Sequence, residues 1–136
     1  MTYLFDTDIL SHSLRRAPSP TLVAKTAAVP PAQRITSSIT VGELLYGAHR
    51  IAQRQPNLLQ RIETLLLTHV TILPVDEAAA RRYGALRAHL EQQGTPLADP
   101  DLRIAAIALV QGLILVTGNV RHLQRVPGLV VENWLI

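Results

Sequence analysis

Short apolar runs that end on an oxygen-bearing side chain recur along this chain. Tyr3-Leu4-Phe5 runs into Asp6-Thr7-Asp8, Ile35 to Thr40 into a stretch carrying Glu43, and Leu113-Ile114-Leu115-Val116 into Thr117-Gly118-Asn119. Between them, apolar positions return at helical spacing, as in Leu58, Leu59, Ile62, Leu65 and Leu66. The pattern predicts a strand at 2–6, then a short helix over about 8–15 and another near 20–28. A strand at 34–38, a helix over about 40–54 and a helix from Pro56 to about 68 follow. Val70–Leu73 reads as a strand, and Asp76 caps a helix from Glu77 to Gln93 that Gly94 closes. A helix over about 100–111 stops at Gly112, Leu113–Val116 is a strand, Asn119 caps a single turn, and Leu129–Glu132 is the last strand. The proline-rich stretches Ala17-Pro18-Ser19-Pro20 and Val29-Pro30-Pro31 read as loops on either side of the 20–28 helix.

Strands alternating with helices predict an α/β fold, a three-layer α/β/α sandwich around a mainly parallel sheet of four to five strands. The nearly continuous apolar run Leu113–Val116 suits a strand buried on both faces. The 136 residues fit one domain, expected over 1–136, and no repeat or linker divides them.

In such a sheet, ligands bind at the carboxyl ends of the strands. Asp6, Asp8, Glu43, Asp99 and Asp101 are five of only ten acids, and all are expected along that edge or at a helix start facing it. Each has a bland reading. Thr40-x-x-Glu43 is a capping box, Asp99 before Pro100 is an N-cap, and Asp101 in a first turn complements the helix dipole. Asp6 can close an Asx-turn and Asn119 can be an N-cap. Caps have no reason to converge, however, and carboxylates that do converge need a cation between them. Hard cations such as Mg²⁺ or Mn²⁺ take oxygen ligands of this kind, and sites so built hydrolyse phosphodiesters.

Composition narrows the choice. There are no cysteines, so disulfides and thiolate zinc sites are excluded. The start of the chain lacks the features of a signal peptide. The longest apolar stretch, 104–116, contains Gln111 and Gly112 and is short of the roughly 20 residues of a membrane span. A cytoplasmic location away from membranes is the expectation. The net charge is +3, and Lys25 is the only lysine. Arginine forks suit phosphates, and Arg15, Arg16, Arg50, Arg54, Arg81, Arg82, Arg87, Arg121 and Arg125 are candidates to meet them. A hydrophobic content of 48% and a mean hydropathy of +0.20 suggest apolar surface covered by a second subunit or a partner. The five histidines show no metal-ligand spacing and are expected at surfaces or helix ends.

These residues together resemble a known family. Tyr3 to Ser11, and Ser38 to Gly47 around Glu43, look like the opening motifs of the PIN-domain ribonucleases, above all the toxins of VapBC type. Gly94-Thr95-Pro96-Leu97 followed by Asp101 to Ala106 is similar to the family's third motif. Val116 to Asn119 with His122-Leu123, then Val126 to Leu129 and Glu132-Asn133-Trp134, is similar to its C-terminal segment. The resemblance implies a PIN-like sandwich and a metal-dependent endoribonuclease, the toxin of a toxin–antitoxin pair, in which a Mg²⁺-activated water cuts RNA. Asp6, Glu43 and Asp101 would be the metal ligands, with Asn119 as the fourth catalytic position and Asp8 in support. Mg²⁺, with Mn²⁺ as the substitute, would be the cofactor. RNA would be the substrate, a cognate antitoxin the partner, and a homodimer the assembly.

Two rival readings start from the same residues. Asp6-x-Asp8 after a strand also opens the haloacid dehalogenase-like phosphatases, in which Asp6 would be a nucleophile and Asp8 a general acid. That chemistry wants a lysine near the cleft, and Lys25 lies in the wrong part of the chain. The other rival is a non-catalytic PIN-like module that binds RNA or protein, and the full set of Asp6, Glu43 and Asp101 argues against it.

Overall fold

A computed structural model describes residues 1–136, the side chain of Leu67 excepted. Its five strands are β1 (Tyr3–Phe5), β2 (Arg34–Ser37), β3 (Thr71–Leu73), β4 (Ile114–Val116) and β5 (Val131–Glu132). The helices are α1 (Thr7–Ser13), α2 (Pro20–Ala27), α3 (Ser38–Arg50), α4 (Leu58–Thr68), α5 (Glu77–Gln92), α6 (Asp99–Gln111) and α7 (Val120–Leu123), with a 3₁₀ turn at Pro31–Gln33. The sheet is wholly parallel in the order β3-β2-β1-β4-β5. The expected α/β/α sandwich is therefore present, with the upper number of strands.

Alternation along the central strands builds the three layers. Leu4 of β1 and Leu115 of β4 point into one core, with Leu86 and Leu90 of α5 and Ile104, Ala105 and Ile107 of α6. Phe5 and Val116, one residue further on, point to the other face, with Ile9 of α1, Leu22 of α2, Leu44 of α3, Ile62 of α4 and Trp134. A strand puts successive side chains on opposite faces, so a strand buried on both sides must be apolar throughout. Trp134 closes the second core, its ring 4.9 Å from Tyr3 and 5.4 Å from Phe5, centroid to centroid.

The chain steps outward from β1 in one direction through β2 and β3, then crosses back to lay β4 on the other side of β1. With right-handed crossovers, the reversal sends helices to opposite faces and leaves a crevice between the carboxyl ends of β1 and β4.

Several boundaries differ from the sequence expectation. The helix expected from Pro56 begins at Leu58, and residues 51–57 form turns between α3 and α4. The helix expected at 40–54 is Ser38–Arg50, because Ser37, not Thr40, is its cap: the Ser37 Oγ accepts the Thr40 N–H at 3.1 Å. Glu43 then lies in the second turn, too far along to form a capping box. Asp99 is not a cap either. Ala98 holds that position, and Asp99 is the first residue of α6, where it accepts from Tyr83 of α5 and from Arg103 at 2.7 Å.

Other expected caps are present. Asp76 accepts the Ala79 N–H at 2.9 Å, and Gly112 ends α6 in the left-handed region at φ +65°. A Cβ at Gly112 meets no atom within 4 Å, so Gly112→Ala is expected to cost only the backbone strain, about 1–2 kcal/mol. Chemical denaturation of the variant measures it.

Candidate functional site

The crevice between β1 and β4 is where the functional side chains meet. Phe5 pairs with Val116, and the residue after each strand turns into the site. The Asp6 N–H donates to the Val116 carbonyl at 3.2 Å, which ties the two strand ends together. The Asp6 side chain caps α1, its Oδ1 accepting the Ile9 N–H at 2.9 Å. This is a helix cap in place of the Asx-turn that was the bland expectation. Asp6 is also 4% exposed. Burial pushes its carboxyl from an ordinary 3.8 up to about 6. Hydrogen bonds from the Thr117 hydroxyl and the Ile9 N–H oppose the rise, and the charges of Asp8 and Asp101 add to it.

Asp101 is half-buried in the first turn of α6. Its carboxyl is also held above the usual range, first by burial and then by the charges of Asp8 and Glu43; Asn119 and His122 pull the other way. Glu43 is exposed on α3 but anchored: the Thr7 hydroxyl donates to its Oε1 at 2.6 Å. Behind that bond stands a line of hydroxyls, with Thr40 3.2 Å from Thr7 and Ser37 3.3 Å from Thr40. Asn119 occupies the cap position of α7 without capping it. Its backbone N–H donates to the Thr117 Oγ1 at 2.9 Å, its Nδ2 faces the Asp101 Oδ2 at 3.5 Å, and its Oδ1 lies 2.6 Å from the His122 Nδ1.

The structure thus gathers Asp6, Asp8, Glu43, Asp101 and Asn119, and leaves Asp99 out. Asp99 is bound to Tyr83, Arg103 and Arg87, which hold its carboxyl below the usual range, Arg103 most of all. Sequence reasoning passed over Thr7, Thr117 and His122. No residue pattern marks the two threonines, whose roles arise from elements far apart in the chain brought side by side. His122 did carry a signal, since it follows Asn119 by three residues and so shares one face of a helical turn with it.

Among the described residues, all four ion pairs are made by Glu77, Glu91 and Asp99 with Arg81, Arg87 and Arg103. The four clustered carboxylates have no cationic side chain paired to them. An all-oxygen, unneutralised set fits a hard divalent cation. As placed, no three carboxylates or imidazoles of the described residues stand close enough to share one ion. Mg²⁺ does not need such a cage, since it keeps several waters and uses one or two carboxylates. Beside Glu43 and Thr7 opens a groove of about 520 Å³ with Arg15, Arg16 and Arg61 on its wall. Among the described residues, no helix is long and apolar enough to cross a membrane.

Comparison with known proteins agrees with this geometry. The PIN domain family model matches residues 3–129. Ribonuclease VapC2 of Haemophilus influenzae is 36% identical over 135 residues, 99% of either chain. The tRNA(fMet)-specific endonuclease VapC of Shigella flexneri is 33% identical over 98% of either chain. Among solved structures, VapBC2 from Rickettsia felis, bound to a DNA fragment from its promoter, superposes with a TM-score of 0.87 at 28% identity, covering 98% of this chain and 99% of the other. The phosphatase reading falls away: the Asp6 carboxylate is buried and already engaged by Ile9 and Thr117, and the family match runs through the whole site. On these matches, and on a fold that superposes with a solved VapBC structure, the chain belongs to the PIN domain family, among its VapC-type members.

Proposed function

We propose that this chain is an endoribonuclease, the toxin of a toxin–antitoxin pair, and that its cutting depends on Mg²⁺ or Mn²⁺ held among Asp6, Glu43 and Asp101, one or two of them directly and the rest through its waters. The observation that carries the reading is the gathering of four carboxylates, none paired with arginine or lysine, at the crevice between β1 and β4. A divalent cation bound there would lower the pKa of an attacking water and offset the charge that develops on the phosphate.

The chain's own residues do the rest. Asp6 and Asp101 supply buried and half-buried negative charge, which a low-dielectric setting makes more effective toward a cation. Thr7 fixes the carboxylate of Glu43. Asn119 adds a polar group without charge and orients a water or the substrate. Arg15 and Arg16, on the groove beside Glu43, are placed to meet phosphates, which positions RNA without reading its sequence. Arg81 is paired with Glu77, and Arg87 with Glu91 and with Asp99 of α6. The partners on this reading are RNA, a cognate antitoxin and a second copy of the chain. Large apolar side chains left exposed at Val23, Tyr46 and Ile72 support covered surfaces of this kind.

The test is incubation of the purified chain with total RNA and with tRNA(fMet), the substrate named for the Shigella flexneri relative. Fragments are expected with Mg²⁺ or Mn²⁺ and none after EDTA. RNA binding without cutting under both metals would establish the non-catalytic module instead.

A further inference from the structure

We infer that His122 is a positioning residue for the cleavage site, acting through Asn119. The inference rests on the nuclease reading for its kinetic consequence but not for its geometry.

The argument starts from the ambiguity of an amide. An Asn side chain has an oxygen that only accepts and a nitrogen that only donates, and neighbours decide which faces which way. Asn119 sits between a carboxylate, Asp101, at 3.5 Å and an imidazole, His122, at 2.6 Å. A carboxylate only accepts, so a donor must face it. With Nδ2 toward Asp101, Oδ1 faces the His122 Nδ1, and that contact is a hydrogen bond only when Nδ1 carries the proton. The flipped amide would set oxygen against oxygen at Asp101. With Nδ1 protonated, His122 therefore holds the amide in the one orientation, set by Asp101, that presents Asn119 as a donor to that carboxylate.

The lock matters because little else holds this side chain. Asn119 caps nothing with its amide, and its other hydrogen bonds are all made by its backbone, the N–H donating to Thr117 and the carbonyl accepting from the His122 and Leu123 N–H groups. Its bond to Asp101 is long, and by itself would leave the side chain free to rotate. The short contact to His122 supplies the second point that fixes a plane. Partners of this kind, which touch neither substrate nor metal, are worth about 10- to 100-fold when removed. His122 lies one helical turn beyond Asn119 on α7 and is exposed, so its ring serves no core.

The substitutions follow from the chemistry. His122→Asn keeps a donor nitrogen at the place of the imidazole Nδ1; His122→Leu removes it. In His122→Leu, kcat is expected to fall about tenfold with KM for RNA nearly unchanged, and His122→Asn is expected to recover most of the loss. The two side-chain amide protons of Asn119 are expected as separate, well-dispersed NMR signals in the wild type and in His122→Asn. They should collapse toward free-amide positions in His122→Leu.

The spectroscopic arm needs no activity, so it decides the geometry even if the chain cuts no RNA. Unchanged Asn119 signals in His122→Leu overturn the inference. So does His122→Asn as impaired as His122→Leu, or a loss confined to KM, which would make His122 a substrate contact instead. Thermal melts of both variants within a few degrees of wild type are expected, and a large drop in both would assign His122 to stability.

Discussion

Asp101→Asn is expected to slow RNA cleavage by roughly a hundredfold or more while leaving the fold intact. The substitution is nearly isosteric and removes one charge from a set whose charges already oppose each other. Asp101 sits in the first turn of α6, where a negative charge gains about 0.3–1 kcal/mol from the helix dipole. Relief from Asp8 and Glu43 offsets that loss. What disappears, on the proposed reading, is a carboxylate that would hold the cation. Outer groups that merely support metal ligands are worth 10- to 100-fold, so a ligand itself should be worth at least as much. Initial rates across a Mg²⁺ series check this. High Mg²⁺ should recover part of the rate, since a weakened site fills at higher concentration. Cutting within a few-fold of wild type at every Mg²⁺ concentration would remove Asp101 from the site.

Asp6→Asn is expected to stabilise the metal-free protein at neutral pH even as it abolishes cutting. The Asp6 carboxyl is raised from 3.8 to about 6 by burial. The folded state therefore favours its protonated form, and stability is highest below about pH 4, falls through pH 4–6, and stays low above. At about 1.4 kcal/mol per pH unit, the ionised group costs the fold about 3 kcal/mol at pH 7.5. Asn keeps an oxygen for the Ile9 N–H, so the α1 cap survives. In EDTA at pH 7.5 the variant should melt on the order of 10 °C above wild type, and the gap should close as the pH drops to 4. Mg²⁺ should raise the wild-type melting temperature, because the cation binds only the folded state, and leave the variant nearly unmoved. Equal melting of the two proteins in EDTA at pH 7.5 would mean that the Asp6 charge carries no burial cost.

Much of this architecture is legible in the residues because its signals are local. The apolar run Tyr3-Leu4-Phe5, the apolar run into Val116, and the cap at Asp76 each report on a few neighbouring residues, and each is found in the structure. Misreadings arise where two local signals compete. Ser37 and Thr40 are both good caps. The strand ending at Ser37 decides between them, so Glu43 is released from capping duty to face the crevice. Asp99 reads as a cap beside Pro100, but Tyr83 of α5 and Arg103 of its own helix engage its carboxylate instead. Thr7 and Thr117 act between elements far apart in sequence, and such pairings have no local trace. His122 is an intermediate case, in which the spacing was visible and its meaning was set by Asp101 on another helix.

The order in which the site residues occur along the chain has a consequence for how the protein is made. Asp6 and Glu43 come from the first third of the chain, whereas Asp101 and Asn119 come from the last third, and β4 must slot in beside β1 to bring them together. Synthesis at about 5–20 residues per second puts several seconds between the first acid and the last. Contacts of such long range form late in folding. A growing chain on the ribosome, surrounded by RNA, therefore has no complete cutting centre. That centre arises only after β4 has left the ribosome and paired with β1.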